Sequence, residues 1–576
     1  LPVSPNGKLE RKALPAPDMS QHQQAYVAPQ SALEQRIAQI WQEVLGIEQV
    51  GLHDNFFALG GHSLLATQVI SRVRQALQRE VDLRSLFEQP TLASFCQVLD
   101  QAKAQPQPPL LPRSREQALP LSYAQERQWF LWQLQPDSSA YHIPLALRLV
   151  GPLDVAALQQ AFDGLLARHE TLRTRFVEEQ GRACQRVEPT LRLAIEQDAL
   201  ALSGSAQQQD EQLRGYVERE VQRLFDLREG PLLRVRLARL AADQHLLVVT
   251  QHHIVSDGWS MQLMARELSE LYAASLEGRA ASLAPLPVQY ADYAAWQRDW
   301  MEAGERERQL AFWTGELGGE QPVLELPTDR SRPAQPSYRG ARVVLPLPAG
   351  LSGALKQQAR EQGVTLFMWL LASFQGLLQR YSGQDDVRVG VPIANRNRLE
   401  TEGLIGFFVN TQVLKARFDA GQSFSDLLQQ VKRTALQAQA HQDLPFEQLV
   451  DALRPERSLS YNPLFQVMFN HQAQAPASVA AEAAGLRLEA LASDTFSAQV
   501  DLKLDTFDSD EGLLAGFSYA TDLFDAASIE RLAQHWLRLL EQVVADPALP
   551  LDQLALLDDA EREQIVEQWN ATATEY

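Results

Sequence analysis

Residues 101–117 read Gln-Ala-Lys-Ala-Gln-Pro-Gln-Pro-Pro-Leu-Leu-Pro-Arg-Ser-Arg-Glu-Gln, and no single hydrophobic core can run through them. The stretch lacks apolar periodicity, and its prolines stiffen the backbone and remove amide donors. The chain is therefore divided into a small unit before residue 101 and a much larger one after residue 117. Its 576 residues are in any case too many for one core and imply about three to four compact bodies. Fully extended, such a linker spans at most about 55 to 60 Å. It keeps the units at an effective concentration of about millimolar, so weak docking between them suffices.

The hydrophobic fraction of 45% and charged fraction of 22% are those of ordinary globular protein. A net charge of -20 argues against nucleic acid or an anionic membrane as partner, either of which calls for a basic patch. A soluble cytoplasmic protein is expected. Cys96 and Cys184 fall in different units, so no disulfide framework is indicated. Two cysteines cannot form a thiolate cluster, and the His-Glu-x-x-His spacing of a helical zinc site is missing, so no metal is expected. The most apolar helical stretch, 364–378, contains Ser373 and Gln375 and is too short to span a bilayer. The chain begins without methionine and reads as a piece of something longer.

Between residues 26 and 100 apolar residues recur at helical spacing, as in Leu33, Ile37, Ile40, Trp41, Val44 and Leu45 before Gly46. The pattern predicts four helices, at about 32–45, from Ser63 to about 77, at 83–88 and at 92–101. Ser63 follows Asp54-Asn55-Phe56-Phe57-Ala58-Leu59-Gly60-Gly61-His62. A serine at a helix start is ordinarily just a cap.

The large unit mixes apolar strands with amphipathic helices, which predicts two α/β lobes and a cleft between them. At its centre lies Gln251-His252-His253-Ile254-Val255-Ser256-Asp257-Gly258-Trp259-Ser260. The apolar, β-branched run 245–250 before it reads as a buried strand. Residues 261–277 after it carry helical spacing. Neighbouring side chains on an extended segment point to opposite faces, so His252 and His253 cannot both serve one site. One packs or orients and the other faces a cavity. Ser256 or Asp257 is placed to cap the following helix, and Gly258 permits a tight backbone.

Three stretches resemble parts of nonribosomal peptide synthetases. Residues 1–11, with Asn6-Gly7-Lys8, are similar to the last motif of adenylation domains, where the equivalent of Lys8 contacts the acyl adenylate. Asp-x-Phe-Phe-x-Leu-Gly-Gly-His-Ser-Leu at residues 54–64 resembles the attachment site of peptidyl carrier proteins. That likeness implies a four-helix bundle with 4'-phosphopantetheine esterified to Ser63. The order of Ser122-Tyr123-Ala124-Gln125-Glu126-Arg127, Arg168-His169-Glu170-Thr171-Leu172-Arg173, His252-His253-x-x-x-Asp257-Gly258, Tyr290-Ala291-Asp292-Tyr293, Gly406-Phe407-Phe408-Val409-Asn410, His441-Gln442-Asp443-Leu444-Pro445-Phe446 and Ser460-Tyr461-Asn462-Pro463 resembles the condensation domain. This implies two lobes like chloramphenicol acetyltransferase, arranged as a V with a central tunnel.

The resemblance divides the chain into an adenylation-domain remnant and linker (1–25), a carrier domain (26–100), a linker (101–117), condensation lobes at 118–290 and 291–550, and a linker toward a following adenylation domain (551–576). It implies peptide bond formation, in which an amine attacks a carrier-bound thioester, loses a proton and expels a thiolate. His253 takes the catalytic position, as base or as positioning group, and Gly258 lies beside the reacting groups, its amide able to meet an oxyanion. His252 orients. Asp257 pairs with an arginine, for which Arg168 is the first candidate and Arg173 the second. Gln125, Arg127, Asn410, Thr411 and Asn462 are read as structural or tunnel-lining. The implied partners are a downstream aminoacyl carrier as acceptor, adjacent adenylation domains and a phosphopantetheinyl transferase, around a monomeric chain. Ala124 to Arg127 and His62 resemble modules that join an L-configured donor to an L-configured acceptor. An epimerisation domain and a non-catalytic recruitment domain are the alternatives.

Overall fold

A computed structural model describes residues 26–570 except 62, 78, 80, 82, 103–107, 456, 457, 459, 473–480, 484, 492–495, 510 and 511. Lys8 with the adenylation-like stretch, His62 and residues 571–576 lie outside the described residues. The chain divides into two units, Leu1–Gln107 and Pro108–Tyr576.

The first unit holds α1 (Ala32–Leu45), α2 (Ser63–Leu77), α3 (Leu83–Glu88) and α4 (Leu92–Gln101). Ser31 and Glu34 form a reciprocal capping box at the start of α1, and Gly46 ends it with φ 67°. The apolar faces converge on Trp41, whose ring centroid lies 5.1 Å from that of Phe56. Ile37, Val69, Val73, Leu86, Phe95 and Leu99 fill the space around it. Each fully buried side chain of this kind contributes about 1.5 to 3 kcal/mol relative to exposure.

The second unit starts with β1 (Leu119–Pro120), α5 (Tyr123–Leu134), β2 (His142–Val150), α6 (Val155–Arg168), β3 (Thr174–Glu179), β4 (Arg182–Val187), β5 (Glu196–Ala199), α7 (Ala206–Gln222), β6 (Leu233–Ala241), β7 (Gln244–His252), α8 (Gly258–Glu277) and α9 (Tyr290–Trp300). It continues through α10 (Arg306–Leu317), β8 (Arg339–Pro346), α11 (Ala349–Glu361), α12 (Leu366–Ser382), β9 (Asp386–Ile393), α13 (Leu399–Glu402), β10 (Asn410–Arg417), α14 (Phe424–Ala440), α15 (Phe446–Leu453), β11 (Val467–Gln472), β12 (Ala481–Ala483), β13 (Leu486–Ala490), β14 (Phe496–Ser497), β15 (Leu502–Ser509), β16 (Gly512–Ala520) and α16 (Ala526–Ala545). The N-terminal lobe is built on a six-stranded sheet of order β12-β13-β2-β7-β6-β5, and the C-terminal lobe on a seven-stranded sheet of order β10-β9-β11-β15-β16-β8-β14. Strands β1, β4 and β3 form a third, small sheet.

Strand β7 is covered on both faces. Leu247 and Val249 pack with Phe162 and Leu165 of α6 and Leu263 and Met264 of α8. Leu246 and Val248 pack with Leu213 and Val217 of α7. That double burial is why the strand reads as an unbroken apolar run rather than as an alternation. Among the described residues no helix is long and apolar enough to cross a membrane.

Three segments depart from the expected limits. Strands β12 and β13 lie within the C-terminal stretch of sequence, yet β13 pairs with β2 from Arg487↔Val150 to Ala490↔Leu147. They extend the N-terminal sheet beyond β2, and Leu486 is buried in that lobe's core. Residues 108–117, expected to be free linker, are docked: Leu110 is 5% exposed and Arg115 pairs with Asp292. Residues 551–558 are also held on the body, since Arg380 donates to the carbonyls of Leu551 and Leu554 and Arg538 binds Leu556 and Asp558.

Candidate active site and carrier attachment point

In the first unit, Ser63 is the first residue of α2, after a turn shaped by two glycines. Gly60 has φ +98°, a conformation that disfavours other residues. At Gly61 the constraint is space, because a Cβ there would lie 2.4 Å from the Phe56 ring. The amides of Gly60 and Gly61 donate to the carbonyls of Phe57 and Phe56. The glycines thus bring the chain tightly over the Phe56 end of the core and deliver Ser63 to a helix N-terminus, where backbone amides favour an anion. These residues fit a phosphodiester on Ser63.

In the second unit, β7 ends on His252, a short turn spans His253–Val255, and α8 begins at Gly258. The two histidines separate as their alternation requires. His252 is 3% exposed, sits edge-on to Phe225 and His142, and accepts the Ile254 amide on Nδ1. Burial holds its pKa well below the ordinary imidazole value, so it is a neutral packing and orienting group. His253 is half-buried. Its amide donates to the Tyr141 carbonyl at 2.8 Å. Its ring lies 5.4 Å from that of Phe407. Nδ1 lies 3.2 Å from the Ser256 carbonyl, which can only accept. The proton therefore sits on Nδ1, and Nε2 is left with a lone pair. Burial also lowers the His253 pKa, with the Ser256 carbonyl acting in the opposite direction.

Asp257 caps α8 by accepting the Ser260 amide on Oδ1 at 2.8 Å. It is fully buried, and its cationic partner is Arg396, with Nη2 3.2 Å from Oδ1. This corrects the expected pairing with Arg168 or Arg173. Arg168 instead donates from Nε to Glu267, and Arg173 to the carbonyls of Leu166 and Glu188. Arg168, the last residue of α6, is taken up by Glu267 on α8, ten positions beyond Asp257, and Arg173 by the backbone around the end of α6 and β4. Arg396 follows β9 and also donates to the carbonyls of Thr401 and Leu404 and to Ser260 Oγ. Its guanidinium lies 4.0 Å from the Phe408 ring centroid.

These contacts clamp residues 404–408. The Phe408 amide donates to Asp257 Oδ2 at 3.0 Å. Ser260 Oγ donates to the Gly406 carbonyl and lies 3.1 Å from its amide. Tyr290 Oη donates to the Phe407 carbonyl, and its ring stands where a Cβ on Gly406 would be. His169 completes the clamp. Its Nε2 lies 2.6 Å from Glu267 and its Nδ1 accepts the Ile405 amide, the arrangement of a neutral ring. Burial lowers His169 accordingly, while Glu267 is held below the usual carboxylate range by His169 and Arg168 despite its own burial.

Gly258 is exposed, and a Cβ on it would meet nothing within 4 Å, at a backbone angle that L residues adopt. The fold does not require glycine there; what the glycine leaves is open space at the turn. Phe407 also lines a narrow cleft with Ser122, Arg127, Asn395, Asn410 and Glu447. Gln125 is fully buried in the capping box of α5. Asn410 ties the carbonyls of Gln442 and Leu444 and the Phe446 amide together, which makes it structural as well as cleft-lining. Arg396, Ser260, His169 and Tyr290 were absent from the expected site. A buried aspartate signals that a cation must exist, but only the topology shows which of many arginines arrives. Among the described residues no group of three or more potential metal ligands gathers.

The sequence pattern described as the condensation domain matches residues 115–566, and that described as the phosphopantetheine attachment site matches residues 35–99. A component of the linear gramicidin synthase of Brevibacillus parabrevis is 47% identical, over 100% of this chain and 8% of that protein. Malpinin synthetase of Mortierella alpina is 42% identical, over 99% of this chain and 7% of that protein. The chain thus spans less than a tenth of the length of these curated relatives. Among solved structures, the complex of the X-domain and OxyB from teicoplanin biosynthesis matches with TM-score 0.72 and 31% identity, over 79% of this chain and 100% of that one. Holo-AB3403, a four-domain nonribosomal peptide synthetase bound to AMP and glycine, matches with TM-score 0.70 and 23% identity, over 77% of this chain and 34% of that one, a likeness of fold. The chain belongs to the condensation-domain family, and ahead of that domain it carries a phosphopantetheine-bearing carrier domain of the kind found in nonribosomal peptide synthetases.

Proposed function

We propose that this chain forms peptide bonds between an aminoacyl or peptidyl donor on its own carrier and the amine of an aminoacyl group on a downstream carrier. The observation that carries this reading is His253: neutral, fixed by Nδ1–H to the Ser256 carbonyl, and left with a lone pair on Nε2. Phosphopantetheine on Ser63, when present, supplies the thiol that holds the donor as a thioester. His253 Nε2 orients the incoming amine and receives its proton, an effect typically worth about 10²- to 10⁴-fold. Holding two tethered substrates together contributes further, up to about 7 to 11 kcal/mol of the barrier. Asp257 and Arg396 hold the turn, His252 packs behind it, and Gly258 keeps space open beside it.

The donor and acceptor are both L-configured in this reading. Adenylation domains load the carriers, a phosphopantetheinyl transferase modifies Ser63, and the chain works as a monomer in the cytoplasm. A non-catalytic recruitment role is the second reading, and the similarity to an X-domain that was solved in complex with OxyB keeps it in view; the complete His252-His253-x-x-x-Asp257-Gly258 set speaks for catalysis. To test the proposal, Ser63 is loaded with an aminoacyl-pantetheine, an aminoacylated downstream carrier is added, and dipeptidyl thioester is sought by intact-protein mass spectrometry. Product with wild type and its loss with His253→Ala are expected. No product with wild type, or undiminished product with His253→Ala, overturns the reading. Deuterium exchange at the donor α-carbon without dipeptide identifies an epimerase instead.

A further inference from the structure

The segment 108–117 is bound at four points, Pro108, Leu110, Arg113 and Arg115. The Pro108 carbonyl accepts from Trp296 Nε1 at 2.8 Å and from Arg398 Nη1 at 3.3 Å. Leu110 is inserted into a cluster with Tyr290, Tyr293, Trp296, Leu404 and Phe408. The Arg113 amide donates to Asp292 Oδ1 at 2.7 Å. Arg115 grips the same carboxylate with two nitrogens, at 2.7 and 3.0 Å, and reaches Glu170 with Nε at 2.8 Å. The Asp292 side chain is 1% exposed, and its Oδ2 also caps α9 through the Gln289 amide. A buried carboxylate served by four donors marks a built junction, since removing one donor leaves charge uncompensated.

The far side of that junction is the site. Tyr290 and Phe408, which share that cluster with Leu110, are two of the residues through which the 404–408 loop is held. Tyr290 Oη binds the Phe407 carbonyl, and the Phe408 amide binds Asp257. Phe407 in turn faces His253.

We propose that Arg115 and Asp292 are positioning residues: the docked segment 108–117 holds the 404–408 loop, and through Phe407 and Asp257 it sets the presentation of His253. The connection to the carrier is therefore also a structural part of the condensation site. This inference rests on the peptide-bond reading for its kinetic consequence, and on geometry alone for its mechanical one.

The experiment removes the tether from the kinetics. The apo chain, with Ser63 unmodified, is given a small-molecule aminoacyl-pantetheine thioester as donor and a loaded downstream carrier as acceptor. Arg115→Ala and Leu110→Ala are each expected to lower kcat by about tenfold or more while KM stays within about twofold, the mark of lost positioning rather than lost binding. Both are expected to speed amide hydrogen exchange at residues 405–408, and Arg115→Lys to recover part of each effect. A Gly/Ser insertion between residues 103 and 107 lengthens the tether without undocking it and is expected to change neither. Unchanged exchange at 405–408 in Arg115→Ala and Leu110→Ala overturns the proposal. So does an insertion that reproduces the loss. If wild type yields no dipeptide, the peptide-bond reading fails by itself, and the exchange measurement still decides whether the segment holds the loop.

Discussion

Asp257 and Arg396 are 139 positions apart and meet at 3.2 Å with each side chain 1% exposed. The pair joins the histidine turn to the loop after β9, and Arg396 also donates to the carbonyls of residues 401 and 404 and to Ser260 Oγ. Cutting one member strands a buried charge, so Arg396→Met is expected to destabilise the condensation unit by about 3 to 5 kcal/mol. Asp257→Asn combined with Arg396→Met is expected to lose less than the two single changes summed. Urea unfolding of the four proteins measures both quantities; additive losses rule out the pairing.

The two histidines are expected to fail in different ways. His253→Ala removes the lone pair at Nε2 and is expected to lower the single-turnover rate by about 10²- to 10⁴-fold with little change in unfolding midpoint, because the backbone bond to Tyr141 remains. His252→Ala empties a packed site between Phe225 and His142 and is expected to show first as lost stability. Burial depresses the His253 pKa, so the acid limb of the rate is expected below the ordinary value of about 6.5. An acid limb above that value contradicts the assignment.

Stability should respond to pH with a definite sign. Burial is the first cause of the lowered pKa of His142, His252, His253 and His535. Each folded ring resists the proton that its unfolded counterpart accepts at about pH 6.5. The unfolded state thus binds more protons below that pH, and each such group removes up to about 1.4 kcal/mol per pH unit as the pH falls from about 6.5 toward its folded value. Urea midpoints between pH 7.5 and 5.5 are expected to decline on the acid side; a flat profile refutes the claim.

Gly258→Ala separates folding from chemistry. The added methyl meets nothing within 4 Å, and alanine is the better helix former by up to about 1 kcal/mol, so the unfolding midpoint should hold or rise. The same methyl projects into the open space at the turn that carries His253, and the condensation rate is expected to fall by about 10- to 100-fold. A variant as active as wild type shows that the space is not used.

Gly61→Ala tests the carrier turn. A Cβ 2.4 Å from the Phe56 ring forces a shift worth about 1 to 3 kcal/mol, and modification of Ser63 by a phosphopantetheinyl transferase is expected to slow. Pairing it with Phe56→Leu is expected to restore part of the loss, measured by intact mass after timed incubation.

What could be read in advance follows from the range of the forces involved. The carrier helices are written locally, in the apolar spacing around Trp41 and in the Ser31 to Glu34 box that closes α1. That His252 and His253 cannot share one role follows from strand alternation, while the choice of His253 as the free one comes with the resemblance of the whole motif. The partner of Asp257 does not, because which arginine comes near is decided by how β9 is placed in another lobe. Nor does the docking of residues 108–117. Their prolines and lack of period read as free linker, while Leu110 and Arg115 are held by tertiary contacts that leave no local trace. Ser260 and Tyr290 stand in stretches the sequence marks out, the histidine turn and the Tyr290-Ala291-Asp292-Tyr293 motif, and their role as clamps on residues 404–408 emerges only from the folded loop.

Strand β13, taken from the C-terminal stretch and laid against β2, sets a rule for recombination. A crossover between related modules placed between the two lobes delivers a β12–β13 hairpin evolved for one parent to the β2 edge of the other. Deleting that hairpin bares the backbone donors and acceptors of β2, an invitation to intermolecular pairing. Exchange points that keep residues 142–150 and 481–490 from the same parent avoid both outcomes.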